Sequence, residues 1–375
     1  MELVKLAGNY GQFYAPAFVV RLAGQELVRD LQVAVSQVEV DMVLGSAWHF
    51  TFTVVNAFDP AAGGFRLGQG DADLLGQFAF GASIQVCMGY RDARSMPIVL
   101  NGVITEVSTS FPEGGAPELV VSGYDPGFLM TLGKNSDSWR DQADSDVVRR
   151  IAGFHNLDVV VDATPNRPQI EQNQESDWDF LKKLAQRNHV GQDHFELYVD
   201  VEGRKSTLHF GGPRVKSDPV VRLTWGKGLV SFRPQANLAG QVAKVEVIGS
   251  DMARKTTFIG RASAESGGAR AKTIAEHLAA LVRAPGRQPV LRLRQPVFSQ
   301  AEADQRAKAA LGERTREFLT GEVESIGLPE LRPDRTVLID GIGAPFSKVY
   351  YIEQATHRID ASGYRTRFRV RETAL

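Results

Sequence analysis

Cysteine is almost absent from this sequence: Cys87 is the only one in 375 residues. A single thiol excludes an internal disulfide framework and a cysteine-based zinc cluster. It fits a chain made and folded in a reducing cytosol. A surplus of positive charge is missing too, with Lys+Arg 43 against Asp+Glu 44. That balance argues against a protein held to nucleic acid by neutralising phosphates. No apolar run approaches the ~18 residues of a spanning helix, so no stable membrane insertion is expected. The start, Met1-Glu2-Leu3-Val4-Lys5, lacks the cationic and then apolar pattern of a signal peptide. What the sequence does hold is material for folded cores. Hydrophobic residues are 43% and charged residues 23%, which excludes wholesale disorder. At ~100–200 residues per domain the length allows two to four domains.

Residues 16–125 read as strands. Trp48, Phe50, Phe52 and Val54 alternate with His49, Thr51 and Thr53, the pattern of a half-buried strand. Phe18, Val20 and Leu22 alternate in the same way. Leu31, Val33 and Val35 alternate, but the next apolar residues are Val38 and Val40. The phase slips at Ser36-Gln37, and a β-bulge there would keep the later side chains on the correct face. Residues 59–74 read as a long loop, and strands are expected at Ile84–Met88, Ile98–Val107 and Leu119–Val121. Short strands with Gly and Pro turns imply a barrel or sandwich.

From Ser138 the period becomes helical. Val147, Val148, Ile151 and Ala152 share one face, and Gly153 or His155-Asn156 ends the helix. Leu157–Val161 reads as a strand, followed by a turn with Pro165 and Pro168. Ser176 is a good N-cap for a second helix with Asp177 and Asp179 in its first turn and Trp178, Leu181, Leu184 and Ala185 as its buried stripe. Phe195–Val201 and Thr207–Phe210 form a hairpin. Strands return at Leu229–Phe232 and Val242–Ile248. Thr273–Val282 is helical with Ile274, Leu278 and Leu281 on one face, and Ser299-Gln300-Ala301-Glu302 is a capping box opening an Ala-rich helix to about Thr315. Strands close the chain at Leu319–Val323, Thr336–Ile339, Val349–Ala355 and Thr366–Arg371. The ends of the two β regions run alike: Ile84–Gly89 then Gly102–Val107 then Glu118–Val121, against Thr336–Gly341 then Val349–Ala355 then Thr366–Val370. Any two antiparallel meanders share such an order; the sharper reading is a duplicated barrel carrying insertions.

Catalytic chemistry is searched for without result. His189, Asp193 and His194 lie close together, but as a loop without a third well-spaced ligand they read as polar loop residues rather than a metal site. Asp177 and Asp179 point to different faces of a helix and serve its first turn rather than an acid/base pair. Leu67-Gly68-Gln69-Gly70 and Gly341-Ile342-Gly343 are turn glycines without a nucleotide-binding context. Cys87 reads as a strand residue with no evident base beside it. No catalytic, cofactor-binding or metal-ligating residue is assigned. The series Arg365, Arg367, Arg369 and Arg371 would lie on one side of a strand. It is either a solvated face guarding a sheet edge, the reading favoured here, or the basic wall of a channel or of an interface with an acidic partner.

Three stretches together resemble the hub proteins of contractile phage tails and related injection machines, the phage late-control protein D type. They are Phe80–Tyr90 with Leu100-Asn101-Gly102-Val103-Ile104 and Val121-Ser122-Gly123-Tyr124-Asp125; Gln172–Leu181 with Leu184–Asn188; and Ser299–Ala310 with Gly327-Leu328-Pro329-Glu330-Leu331-Arg332-Pro333, Tyr350–Ile352, His357 and Gly363–Phe368. The resemblance implies an α+β, mainly β fold of two related antiparallel β-barrel (tube) domains, with an inserted small α+β domain and a helical insertion. The expected division is 1–127 for the first tube barrel, 128–215 for the α+β domain, 216–265 and 316–375 for the two parts of the second barrel, and 266–315 for the helical insertion. It further implies a homotrimer, a ring with pseudo-sixfold symmetry between a hexameric tail tube protein and a trimeric spike protein. Other baseplate proteins would adjoin it, and a tape-measure protein, DNA or cargo would occupy the lumen. Such a protein sits in a virion tail baseplate or injection particle, is assembled in the bacterial cytoplasm, and is not an enzyme. The related VgrG spike proteins continue into a further barrel and a needle; this sequence stops at Leu375, so a separate spike is expected. The alternative is a tail-associated cell-wall hydrolase or glycan-active β protein, which needs a concave pocket with two or more converging carboxylates, or a His-centred site with a displaced pKa.

Overall fold

The structure is a computed structural model, and it describes residues 2–67, 73–90, 96–191, 193–251, 256–263, 274–282, 289–297 and 299–373. The first strands are β1 (Pro16–Leu22), β2 (Ala34–Val43), β3 (His49–Val55), β4 (Ser83–Tyr90), β5 (Ile98–Ser110) and β6 (Glu118–Tyr124). They lie side by side in the order β1-β4-β5-β6-β3-β2, every neighbour antiparallel. Alternation makes this half: Trp48, Phe50, Phe52 and Val54 are buried to 1% or less and share a core with Val38, Val40 and Met42. The expected bulge is present, between Val35 and Gln37.

A middle unit follows: β7 (Asn135–Ala143), α1 (Asp144–Phe154), β8 (Asp158–Val161), β9 (Asn166–Glu175), α2 (Asp177–Arg187), β10 (Glu196–Glu202) and β11 (Lys205–Gly211). Val147, Val148, Ile151 and Ala152 of α1 pack with Trp178, Leu181, Leu184 and Ala185 of α2. Ser176 caps α2, its hydroxyl accepting from Asp179 N at 3.1 Å. Two expectations fail here. Residues 135–143 form a strand, so the helix begins at Asp144 rather than near Ser138, and the turn read around Pro168 is strand β9. The β7–β9 pair is polar except where Trp139 faces Ile170, which leaves no alternation to read. Pro168 is tolerated because Asp141, at φ 50°, drops out of the ladder opposite it.

The rest of the chain makes β12 (Arg222–Trp225), β13 (Gly228–Ala236), β14 (Lys244–Asp251), β15 (Thr256–Ser263), α3 (Ile274–Leu281), β16 (Val290–Arg294), α4 (Gln300–Thr315), β17 (Leu319–Ile326), β18 (Thr336–Asp340), β19 (Lys348–Asp360) and β20 (Gly363–Glu372). Strands β19-β18-β12-β13-β17-β20 close on themselves as a six-stranded barrel. Within the β13–β17 connection, β15-β14-β16 form a separate sheet under α4, with its own small core of Val245, Val247, Val297, Ala303, Ala307 and Leu311. Leu281, expected on the buried face of α3, is 66% exposed, whereas Ile274 and Leu278 are buried. In the expected loop 59–74, a short strand pair (Phe58–Asp59 with Gly64–Phe65) and a one-turn helix at Leu74–Gln77 occur; Gly68 and Gly70 lie outside the described residues.

The strand order β4-β5-β6-β3-β2 recurs as β18-β19-β20-β17-β13, antiparallel throughout. Bulges fall at matching places: Val35/Gln37 in β2 and Leu229/Ser231 in β13, Ile104/Glu106 in β5 and Ile352/Gln354 in β19. Aligning the bulges fixes which residue of each strand answers to which. The β3–β6 ladder is then an independent check, and it agrees: Phe50 lies opposite Gly123, and their counterparts Gly321 and Val370 lie opposite each other. The sixth strands differ, since β1 runs antiparallel to β4 whereas β12 runs parallel to β18. The two halves are fused edge to edge by β2 and β19, with Val38 opposite Ile359, Val40 opposite His357 and Met42 opposite Ala355.

Candidate functional site

The arginine series is the feature that the fold places most informatively. Strand β20 is paired on both sides, to β17 and β19, so the edge-guard reading is corrected. Arg367 and Arg369 stand exposed on one face of the sheet. There Arg367 Nε lies 3.5 Å from Glu324 and Arg369 Nε 3.8 Å from Glu353. Arg371 departs from the series. It stays in phase with the others but is covered: it lies over the Tyr351 ring, 4.6 Å from the ring centroid, with Glu353 at 2.9 Å, Asp193 at 3.4 Å and only 3% of its surface exposed. Ser231, Arg233, Glu322, Glu324, Gln354 and Thr356 complete an open groove of about 490 Å³ on the charged face. Both signs of charge alternate along it, so the face is not a uniformly basic wall.

The loop pair His189 and His194 meets as partners in a short hairpin. His194 Nε2 faces the Arg316 guanidinium at 3.1 Å, and Asp193 is held by Arg316 at 3.3 Å and Arg371 at 3.4 Å. Burial, with the neighbouring Arg316 charge, pushes His194 down to about 3. Two guanidiniums at this point repel a cation rather than hold one, and among the described residues no group of three His, Cys, Asp or Glu is arranged for a metal. Asp177 and Asp179 are separated in role. Asp179 accepts from the Ser176 hydroxyl at 2.8 Å, completing the cap. Asp177 accepts from Asn135 at 2.8 Å and Gln172 at 2.9 Å and faces His155 Nε2 at 2.8 Å. Burial alone would raise its pKa, but these hydrogen bonds outweigh it and hold the carboxyl low. Cys87 is 1% exposed, with Arg21 3.2 Å from its Sγ, and burial raises its thiol pKa. Gly341 and Gly343 have φ of 77° and 91° and make the turn after β18.

Sequence reasoning missed the junction behind the charged face. Asp334, at φ 57° and 3% exposed, accepts from Tyr198 at 2.8 Å, Tyr351 at 3.0 Å and the Arg214 backbone N–H at 2.8 Å. Beside it Asp200 is paired with Arg332 at 2.7 Å and Arg335 at 3.6 Å. These bonds fasten the middle unit to the closed barrel. His357 stacks a second network above it, with Tyr364 at 2.9 Å and the Leu331 carbonyl at 3.0 Å. In the Glu330-Leu331-Arg332-Pro333 stretch, Glu330 accepts from Tyr10 at 2.6 Å, and Arg332 donates to Asp200 at 2.7 Å and to the Ile98 carbonyl at 2.8 Å, so two of its residues tie distant parts of the chain together. The arrangement is one of fastening: carboxylates matched to arginines and tyrosines, which positions β-sheets and leaves no free nucleophile among these groups.

No helix among the described residues is long and apolar enough to cross a membrane. The fold has clear counterparts among solved structures. A tail protein from Neisseria meningitidis MC58 superposes with a TM-score of 0.67 at 18% identity, covering 96% of this chain and 97% of that one. The 43 kDa tail protein of prophage MuSo2 from Shewanella oneidensis gives 0.68 at 14% identity, covering 95% and 98%. A component of the type VI secretion system of E. coli, structurally similar to T4 bacteriophage tail proteins, gives 0.54 at 13% identity, covering 94% and 76%. No curated protein matches the sequence. The profile of the Alg8 N-terminal domain matches residues 15–361, nearly the full length, and the chain belongs to that family.

Proposed function

We propose that this protein is the structural hub of a contractile tail baseplate or of a phage-derived injection system, of the late-control protein D type. Three copies form a ring that joins a hexameric tail tube to a trimeric spike. The observation that carries this reading is the recurrence, within one chain, of five strands with the same order, sense and bulge positions. A repeated wall segment has a mechanical use: three chains with two segments each present six similar edges to a sixfold partner and three to a threefold one. The fold shared with phage tail proteins supports it. In this reading residues 1–127 and the split 216–265 and 316–375 are the two tube domains, with 128–215 and 266–315 as attachments on the outside; β14 and β15, which pair in the sheet under α4 and not with the barrel, go with the second attachment. The mixed-charge face of Arg367, Glu324 and Arg369 lines the lumen, where alternating sign lets a polymer slide without binding. The role is mechanical, with no catalysis and no cofactor.

Native mass measurement tests this directly. Purified chain at tens of micromolar, alone and with its tube and spike proteins, is expected to run at three copies. Obligate assemblies bury more than ~2,000 Å², enough to hold at such concentrations. A single copy under every condition would overturn the proposal.

A further inference from the structure

The internal junction between the halves predicts the junction between chains. At the β2–β19 seam, Val38, Val40 and Met42 are fully buried, as are Ala355 and His357, and Ile359 is 4% exposed. Bulge matching assigns each a counterpart. For β2 these are Phe232, Pro234 and Ala236 on β13; for β19 they are Val107 and Thr109 on β5, and Phe111 just beyond it. The counterparts lie on strands with an open side. Beyond Leu229, β13 is paired only to β17, and beyond Ile104, β5 is paired only to β6, among the described residues. Their exposure follows: Phe111 is 60% exposed where Ile359 is buried, and Thr109 and Ala236 are exposed where His357 and Met42 are buried. Phe111 rests edge-on against Phe58, with ring centroids 5.3 Å apart, and turns its other side to solvent.

We propose that a second copy of this chain covers these edges, β5 of one copy pairing antiparallel with β13 of the next in the register of the internal seam. Glu106 then lies opposite Asn237, Ser108 opposite Gln235, Ser110 opposite Arg233 and Phe111 opposite Phe232. This deepens the ring reading and rests on it. The contact is head to tail, joining unlike edges, so it generates a ring when the rotation closes. Backbone geometry agrees. Asn237 N donates to Phe318 O at 2.8 Å, so Arg233 and Gln235 spend their backbone groups on β17 while Phe232, Pro234 and Ala236 turn theirs to the open side. Pro234 removes one donor there. The seam has one rung fewer than its internal model, and the free edge is less able to recruit a wrong strand. The internal seam sets Glu39 on β2 against Arg358 on β19 at 3.4 Å; at the counterpart rung Arg233 on β13 faces Ser110 on β5, so the ion pair is not repeated there.

Paired cysteines read the register. At the counterpart rung, Thr356 Oγ1 lies 2.7 Å from Asp41, so the two side chains meet. The full-length double variant Ser108→Cys/Gln235→Cys should form an intermolecular disulfide and run as a covalent trimer. The displaced pair Ser108→Cys/Arg233→Cys places its Cα atoms beyond the ~7 Å limit and should link at least about tenfold less. Phe111→Ser should shift the assembled species toward single chains. Trimers that do not crosslink, or that link equally through the displaced pair, would overturn the seam and leave the ring standing. Single chains at every concentration, uncrosslinked, would overturn both.

Discussion

His357 is buried with both ring nitrogens engaged, and that fixes its charge. The Leu331 carbonyl can only accept, so Nε2 carries the proton and Nδ1 accepts from Tyr364: the ring is neutral. Burial, reinforced by the charge of Arg332, pushes its pKa down to about 3 from an ordinary 6.5. A depressed histidine gives its full stability above about 6.5 and loses it as pH falls toward about 3, because the unfolded chain takes the proton first. His194 at about 3 and His209 at about 4 act in the same window, each for burial first. Asp125 and Glu196, raised by burial to about 7, act the opposite way above their ordinary 3.8 and 4.5. His189 is also held low by burial, so the depressed histidines outweigh the two raised carboxyls, and stability falls as the pH drops from about 6.5 toward 4.5. His357→Gln should lower stability at neutral pH and flatten that acid slope. Urea unfolding at pH 6.5 and 5.0 measures it, and an unchanged slope would mean that His357 is already protonated in the folded chain.

Close packing governs the elements. A Cβ on Gly260 of β15 would fall 2.0 Å from the backbone of Ala303, which is why α4 lies so near its sheet behind a stripe of alanines. Backbone cannot yield as a side chain can, so Gly260→Ala should cost about 1–3 kcal/mol. Gly153 on α1 has nothing within 4 Å of such a Cβ, and Gly153→Ala should instead stabilise by up to about 1 kcal/mol. Thermal unfolding separates the two; equal effects would show that α4 is free to move off its sheet. The same elements show what the sequence could disclose. Alternation announced β3, a slipped phase announced the β2 bulge, and Ser176 and Ser299 announced the starts of α2 and α4. The polar β7–β9 ladder announced nothing, because its only well-buried cross-strand pair is Trp139 with Ile170. The fastening network stayed hidden for another reason. Asp334 meets Tyr198 across 136 residues, and no local pattern encodes a contact of that range. Arg371 was misread as one of four equivalent arginines because it is buried under Asp193, 178 residues away, which no local pattern shows.

At the scale of the whole molecule, cooperativity follows from how the sheets share strands. Strand β19 is paired to β18, β20 and β2, so the closed barrel cannot open without releasing the edge of the first half. Those two cores, each with large aromatic and aliphatic side chains, should therefore lose structure together. The β15-β14-β16 sheet stands apart. It shares no strand with the main sheet, and its six buried side chains are three valines, two alanines and one leucine. The apolar area at stake is small, so at about 25 cal/mol per Å² its local opening costs less than global unfolding. Amide hydrogen exchange should show β14 and α4 exchanging well before β2 and β19, while β2 and β19 protect alike. Assembly sharpens the contrast. When rings form, the open sides of β5 and β13 gain partners and their amides should slow, whereas β14 and α4, on the outside of the proposed ring, should not change. Uniform slowing of all four segments would mean that the insertion is part of the ring wall, and the placing of α4 and its sheet outside it would have to be abandoned.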